Sequence, residues 1–220
     1  TLDRRIGEYQ LPKGWRIIAA GNRATDRAVV FRMPSALINR FVHLDFEADF
    51  EDWRDWSISR KIHPLVLGFL STRPELLFKM DKPDKPFPTP RSWEMVSDIL
   101  DRFKSSKDCR DVILGTIGEG ASMEFLGYCD NSISEEIINK IISDPEKAKL
   151  PKKLGDQYAL ISYLTFKIDK QNVAKAAEAI INRLSPELGV LLLRNCLQAS
   201  PKFAIRKGVQ SFTSKHSNLL

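Results

Sequence analysis

The stretch LPKGWRIIAAGNRATDRAVVFRMPSALINRF, residues 11–41, decides how the fold is read. Residues 15–21, WRIIAAG, make a short and almost wholly apolar run. Such a run suits a strand buried on both faces in a parallel sheet. It ends on Gly21-Asn22, so the strand would carry an asparagine amide at its tip. Pro34 fits the first turn of a helix over residues 35–40, whose last turn carries Arg40. Residues 41–48, FVHLDFEA, alternate as a second strand. Just upstream, GEYQLPKGW (residues 7–15) reads as a β-hairpin with Pro12-Lys13-Gly14 as its turn. Strand, loop, helix and strand in that order form the tail end of an α/β layer. A sheet of two or three strands cannot cover both of its faces. The expectation is therefore that further residues of the layer precede Thr1.

From about residue 49 the apolar period changes. Phe50, Trp53 and Trp56 recur at helical spacing, and HPLVLGFLSTRPELLF (residues 63–78) is a second helical run broken near Pro74. DKPDKPFPTP (residues 81–90) is a proline-rich loop, and Thr89-Pro90 at its end is a helix start signal. The helix that follows places Trp93, Val96, Leu100 and Phe103 on one face. Further helices are expected around 109–129, 134–143, 156–168, 173–184 and 186–199. In the 173–184 helix, Val173, Ala176, Ile180 and Leu184 form the stripe. Residues 143–156 read as a linker between two helical parts. The fold class is thus an α/β remnant followed by helical parts, predominantly α overall.

Bulk composition narrows the function. The chain has 220 residues, 43% hydrophobic and 28% charged, as in globular proteins. No apolar run approaches the roughly 18 residues of a membrane span, and no export signal opens the chain. Cys109, Cys129 and Cys196 are far apart and form no CxxC pair, which fits a reducing, cytoplasmic setting. His43, His63 and His216 have no metal-ligand spacing, so no metal is expected. The net charge of +6 is uneven. After Glu187 there is no acid, while Arg194, Lys202, Arg206, Lys207 and Lys215 supply five positives. A basic tail of this kind is either a solvated face or a contact for nucleic acid or an acidic partner.

Three residues are candidates for chemistry. Asn22 stands where open α/β sheets bind ligands, at the carboxyl end of a strand. Its amide can orient a water near a phosphate, or it is simply the asparagine of a Gly-Asn turn. Arg40 either neutralises its helix terminus or Asp45, or projects from a subunit edge toward a neighbour's phosphate. Arg91 follows Thr89-Pro90 in the first turn of a helix, where positive charge is locally unfavourable. Its partner is either a phosphate or a local acid such as Glu94.

In this order, IIAAGN, MPSALINRF and FPTPRSWE resemble the second half of an AAA+ ATPase module. The likeness is to the MoxR-like, dynein-related branch of bacteria and their phages. The hairpin GEYQLPKGW is similar to one that the branch carries before its sensor strand. The resemblance spans residues 2–100 and extends more loosely to GDQYALISYL and PELGVLLLRNCL. It implies that Asn22 is sensor 1, Arg40 the arginine finger and Arg91 sensor 2 on a helical lid. Asp26 and Arg27 would line the subunit interface. It further implies ATP and Mg²⁺ as cofactors of the full-length parent, self-association into a ring, and remodelling of protein clients. The divisions it implies are the end of the α/β subdomain at 1–57, a lid at 58–145 and a helical extension at 146–220.

The departure from the family is equally plain. No GxxxxGK[ST] phosphate loop occurs, and GTIGEG (residues 115–120) lacks the lysine and hydroxyl. No apolar strand ending in Asp-Glu precedes the hairpin. This chain alone is therefore expected to bind nucleotide poorly and hydrolyse none. The alternatives are a helical protein-interaction module and a basic nucleic-acid-binding module centred on residues 188–220.

Overall fold

A computed structural model describes residues 4–21, 33–80, 84–103 and 105–219. The described chain divides into two compact units, residues 1–47 and 48–220. It is predominantly helical.

The described residues of the first unit hold two short strands and one short helix. Strands β1 (Arg5–Ile6) and β2 (Tyr9–Gln10) pair antiparallel, with Arg5 opposite Gln10. Gly7, at φ 58°, takes the left-handed turn between them. The Leu11 N–H bonds the Arg4 carbonyl at 2.7 Å, and the Arg4 guanidinium donates to the carbonyls of Pro12 and Trp15. A hairpin is present, but its turn falls at Gly7-Glu8 and not at Pro12-Lys13-Gly14. Helix α1 (Ser35–Ile38) is four residues long.

The strands expected over 15–21 and 41–48 are not formed among the described residues. No backbone ladder runs along either segment. Their apolar side chains are in solvent, Ile18 at 91% and Phe46 at 86% exposed. The reason is that a strand is a pairing and not a local conformation. Both segments have the composition of strands, and neither pairs with another strand among the described residues.

The regular elements described in the second unit are all helical. Asp49 opens α2 (Phe50–Ser59) by accepting the Asp52 N–H at 3.0 Å. His63 and Pro64 open α3 (Pro64–Thr72), and a 3-10 turn follows at Pro74–Leu76, where the sequence breaks at proline. Next come α4 (Pro90–Arg102), α5 (Arg110–Ile117), α6 (Glu119–Asn131) and α7 (Glu135–Ser143). The segment 144–153 leads to α8 (Leu154–Phe166), α9 (Gln171–Ile181) and α10 (Pro186–Ala199). A 3-10 turn at Pro201–Ile205 and α11 (Lys207–Lys215) complete the unit.

Two apolar clusters form its core. One gathers α2 to α6 around Phe69, Trp93 and Phe125. Trp93 is fully buried, its ring 5.5 Å from those of Phe69 and Phe125, and its indole N–H donates to the Leu76 carbonyl at 2.8 Å. Removing such a side chain from a core costs about 3–5 kcal/mol. The other cluster gathers α7 to α11 around Leu160, Leu164, Ile180 and Leu192. The clusters meet where α3 lies on α8. A Cβ on Gly68 would sit 2.5 Å from the Tyr128 hydroxyl and 3.4 Å from the Ala159 Cα, so the absent side chain allows the close approach.

Ion pairs tie α10 to α2. Arg54 is buried, with its guanidinium on Glu51 at 2.6 Å and near Asp55 at 3.4 Å. Arg194 reaches across from α10 to the same two carboxylates at 3.0 and 3.1 Å. Of these groups only Arg54 is buried, so removing its carboxylate partners would strand a buried charge.

Candidate functional site

Helix α4 carries the first of the candidate residues that can be placed. Thr89 caps it reciprocally: its Oγ1 accepts the Ser92 N–H at 3.0 Å, and the Thr89 N–H donates to Ser92 Oγ at 2.8 Å. Pro90 occupies N1, where a missing N–H does no harm. Trp93, Val96 and Leu100 bury the inner face. Arg91 then falls at N2 on the outer side and is exposed. Glu94, the acid nearest in sequence, is taken: Arg60 of α2's C-terminal end pairs with it at 3.1 Å. No ion pair or hydrogen bond of the Arg91 side chain is present among the described residues. A guanidinium at a helix start without a carboxylate partner can receive an anionic ligand.

Arg40 lies in the turn after α1 and is exposed. Its backbone N–H bonds the Leu37 carbonyl at 3.0 Å, while its guanidinium pairs with neither Asp45 nor any other described acid. Arg40 and Arg91 belong to separate compact units. Asn22, Asp26 and Arg27 lie outside the described residues.

The remaining reactive groups are structural. GTIGEG forms the joint between α5 and α6. Its Gly118 has φ 77°, and an added Cβ would lie 2.2 Å from the Pro86 carbonyl oxygen. Burial pushes the thiols of Cys129 and Cys196 up to about 12 and raises that of Cys109, which keeps all three protonated and poor nucleophiles. His63 is held below its ordinary value by burial and uses Nδ1 to accept the Leu65 N–H. Among the described residues no group of three His, Cys, Asp or Glu side chains could hold a metal ion. No helix among them is long and apolar enough to cross a membrane. A cavity of about 70 Å³ opens beside Lys61, Ser162, Thr165 and Asp169. At roughly 10–15 Å³ per water it suits a few waters, not a nucleotide.

Sequence reasoning missed two features. The serine at N3 that completes the α4 cap is visible as Thr89-x-x-Ser92, but the usual signature has a longer Glu or Gln there. The Arg60–Glu94 pair joins residues far apart in sequence and carries no local signal.

Comparison with protein-family models, with curated proteins and with solved structures finds no match to this chain.

Proposed function

We propose that the chain is the C-terminal part of an AAA+ ATPase of the MoxR-like kind, cytoplasmic and working in a ring to remodel partner proteins. The observation that carries the reading is the state of Arg91: exposed in the first turn of α4, with Glu94 already bound by Arg60. A cation is placed where the helix disfavours one, and no described acid compensates it. Arg40 has the same unpartnered character. Both fit a polyphosphate, which takes guanidinium groups in bidentate pairs. The exposed apolar side chains of residues 15–18 and 42–46 also support it, since they are of the kind an α/β sheet covers.

In this reading, ATP and Mg²⁺ are held mainly by a phosphate loop supplied by other residues of the parent. The metal neutralises charge between the phosphates. Arg91 grips the γ-phosphate bound to its own subunit. Arg40 reaches the nucleotide of the neighbouring subunit, which makes activity depend on assembly. Asn22 orients the attacking water. A guanidinium supplied in trans is worth about 10³–10⁵ in rate.

The test uses the full-length parent. Its Arg40→Ala variant should bind ATP normally and lose hydrolysis by at least about a thousandfold. Arg91→Ala should weaken nucleotide binding within the subunit. Normal turnover in the Arg40→Ala protein, or a parent gene that encodes no phosphate loop, overturns the proposal.

A further inference from the structure

Helix α11 packs with only one face. Val209 and Phe212 are buried, and the helix is fastened to α9 at its start. There Glu178 accepts the Gly208 N–H at 2.8 Å and pairs with Arg206 at 2.9 Å, close enough for an ion pair though off the angle of a hydrogen bond. The Asn182 amide donates to the Gly208 carbonyl at 3.5 Å. The opposite face repeats at helical spacing as Lys207, Gln210, Ser211, Ser214 and Lys215, all exposed. The 3-10 turn that packs against α11 adds Lys202, also exposed.

The structure sorts the five cations of the acid-free tail into two groups. Arg194 and Arg206 are consumed by Glu51, Asp55 and Glu178. Lys202, Lys207 and Lys215 have no ion pair among the described residues. Glu178 is the acid that binds the start of α11, and both of its oxygens are occupied. The side chains of Gln210, Ser211 and Ser214 make no hydrogen bond among the described residues. The face therefore presents unpartnered ammonium, amide and hydroxyl groups and no carboxylate, on a helix whose other side is anchored in the core.

We propose that this face of α11, with Lys202, docks the sugar-phosphate backbone of a nucleic acid. Charge complementarity selects an anion, and the chemistry of the stripe selects a phosphate chain over an acidic protein. Protein interfaces are held by buried aromatic and aliphatic anchors, and the stripe has none. Phosphate oxygens are instead met by Lys, Gln and Ser side chains in this kind of mixture. Lys207 and Lys215 stand about 12 Å apart along the helix, which matches about three base-pair steps of a duplex at about 3.4 Å of axial rise each. No aromatic side chain is available in the stripe to stack on bases, so binding is indifferent to sequence. The inference is independent of the nucleotide chemistry proposed for Arg40 and Arg91.

The experiment is fluorescence anisotropy of the whole chain with a labelled duplex DNA of about 20 base pairs, titrated from about 20 to 200 mM salt. Three lysines on phosphates should give a log–log salt slope of magnitude about 2–3. K207Q/K215Q should lower that slope by about 2, and K207E/K215E should weaken binding at least about tenfold at low salt. K85E/K107E makes the same charge change on two exposed lysines outside α11 and its 3-10 turn, Lys107 facing Asp130 at 3.7 Å, and should stay within about twofold of the parent. Circular dichroism confirms that each variant is folded. The proposal falls if no binding is seen at about 20 mM salt, if the two charge reversals weaken binding equally, or if poly-glutamate binds as tightly as DNA.

Discussion

His63 ties the start of α3 to α4 through its backbone and caps α3 through its ring, and ring protonation would disturb the cap. Its backbone N–H donates to Ser97 Oγ at 2.9 Å, and its ring Nδ1 accepts the Leu65 N–H at 3.2 Å, capping α3. Burial lowers its affinity for a proton; Asp101 and Glu135 oppose that shift and Lys167 adds to it. The unfolded chain takes up the proton at the ordinary value of 6.5, while the folded chain resists it. Protons thus favour unfolding: this contribution to stability is full above 6.5 and is lost as pH falls toward the lowered folded value. His63→Asn keeps a short acceptor at the cap but cannot titrate. Melting temperatures followed from about pH 8 to about pH 5 should fall less steeply in the variant than in the parent. Parallel curves would show that His63 plays no part in the acid sensitivity.

Helices were legible where one stripe decided them. In α9, Val173, Ala176 and Ile180 are buried as their spacing requires, and in α4 so are Trp93, Val96 and Leu100. Phe103 ends as the C-cap of α4 and is 42% exposed, because the helix stops one residue short of burying it. The single helix expected around 109–129 is two, since the apolar pattern continues across a joint that only backbone geometry reveals. That joint is Gly118, with φ 77° and ψ 167°, a region open to glycine almost alone, and with the Pro86 carbonyl against it. Gly118→Ala must strain the backbone and push the loop bearing Pro86 away from α5 and α6. A destabilisation of about 2–4 kcal/mol is expected, read as a lower denaturant midpoint at unchanged slope. A loss below about 0.5 kcal/mol would mean that the joint relaxes freely. The strands over 15–21 and 41–48 failed for the opposite reason. Their composition is a local signal, but the pairing that makes a strand is not local.

Burial is distributed very unequally between the two units. No described side chain among residues 4–47 is buried, and neither core cluster contains a residue before Phe50. The second unit closes its own core instead: its clusters join through the contact of α3 with α8, and Ala199 packs against both. Among the described residues both core clusters are built from the second unit's own side chains, so residues 48–220 should fold alone. Expressed alone, they should unfold in one cooperative transition, with a melting temperature within about 3 °C of the parent chain. Limited proteolysis of the parent should cut first within residues 1–47, whose described side chains are not buried. A fragment that melts about 10 °C lower, or in two steps, would show that the first unit supports the helical core or that the two clusters are separate folding units. If the fragment is as stable as the parent, the apolar side chains of Trp15, Ile18, Val42 and Phe46 do nothing for this core. Under the proposed function, the sheet of the parent ATPase would be what covers them.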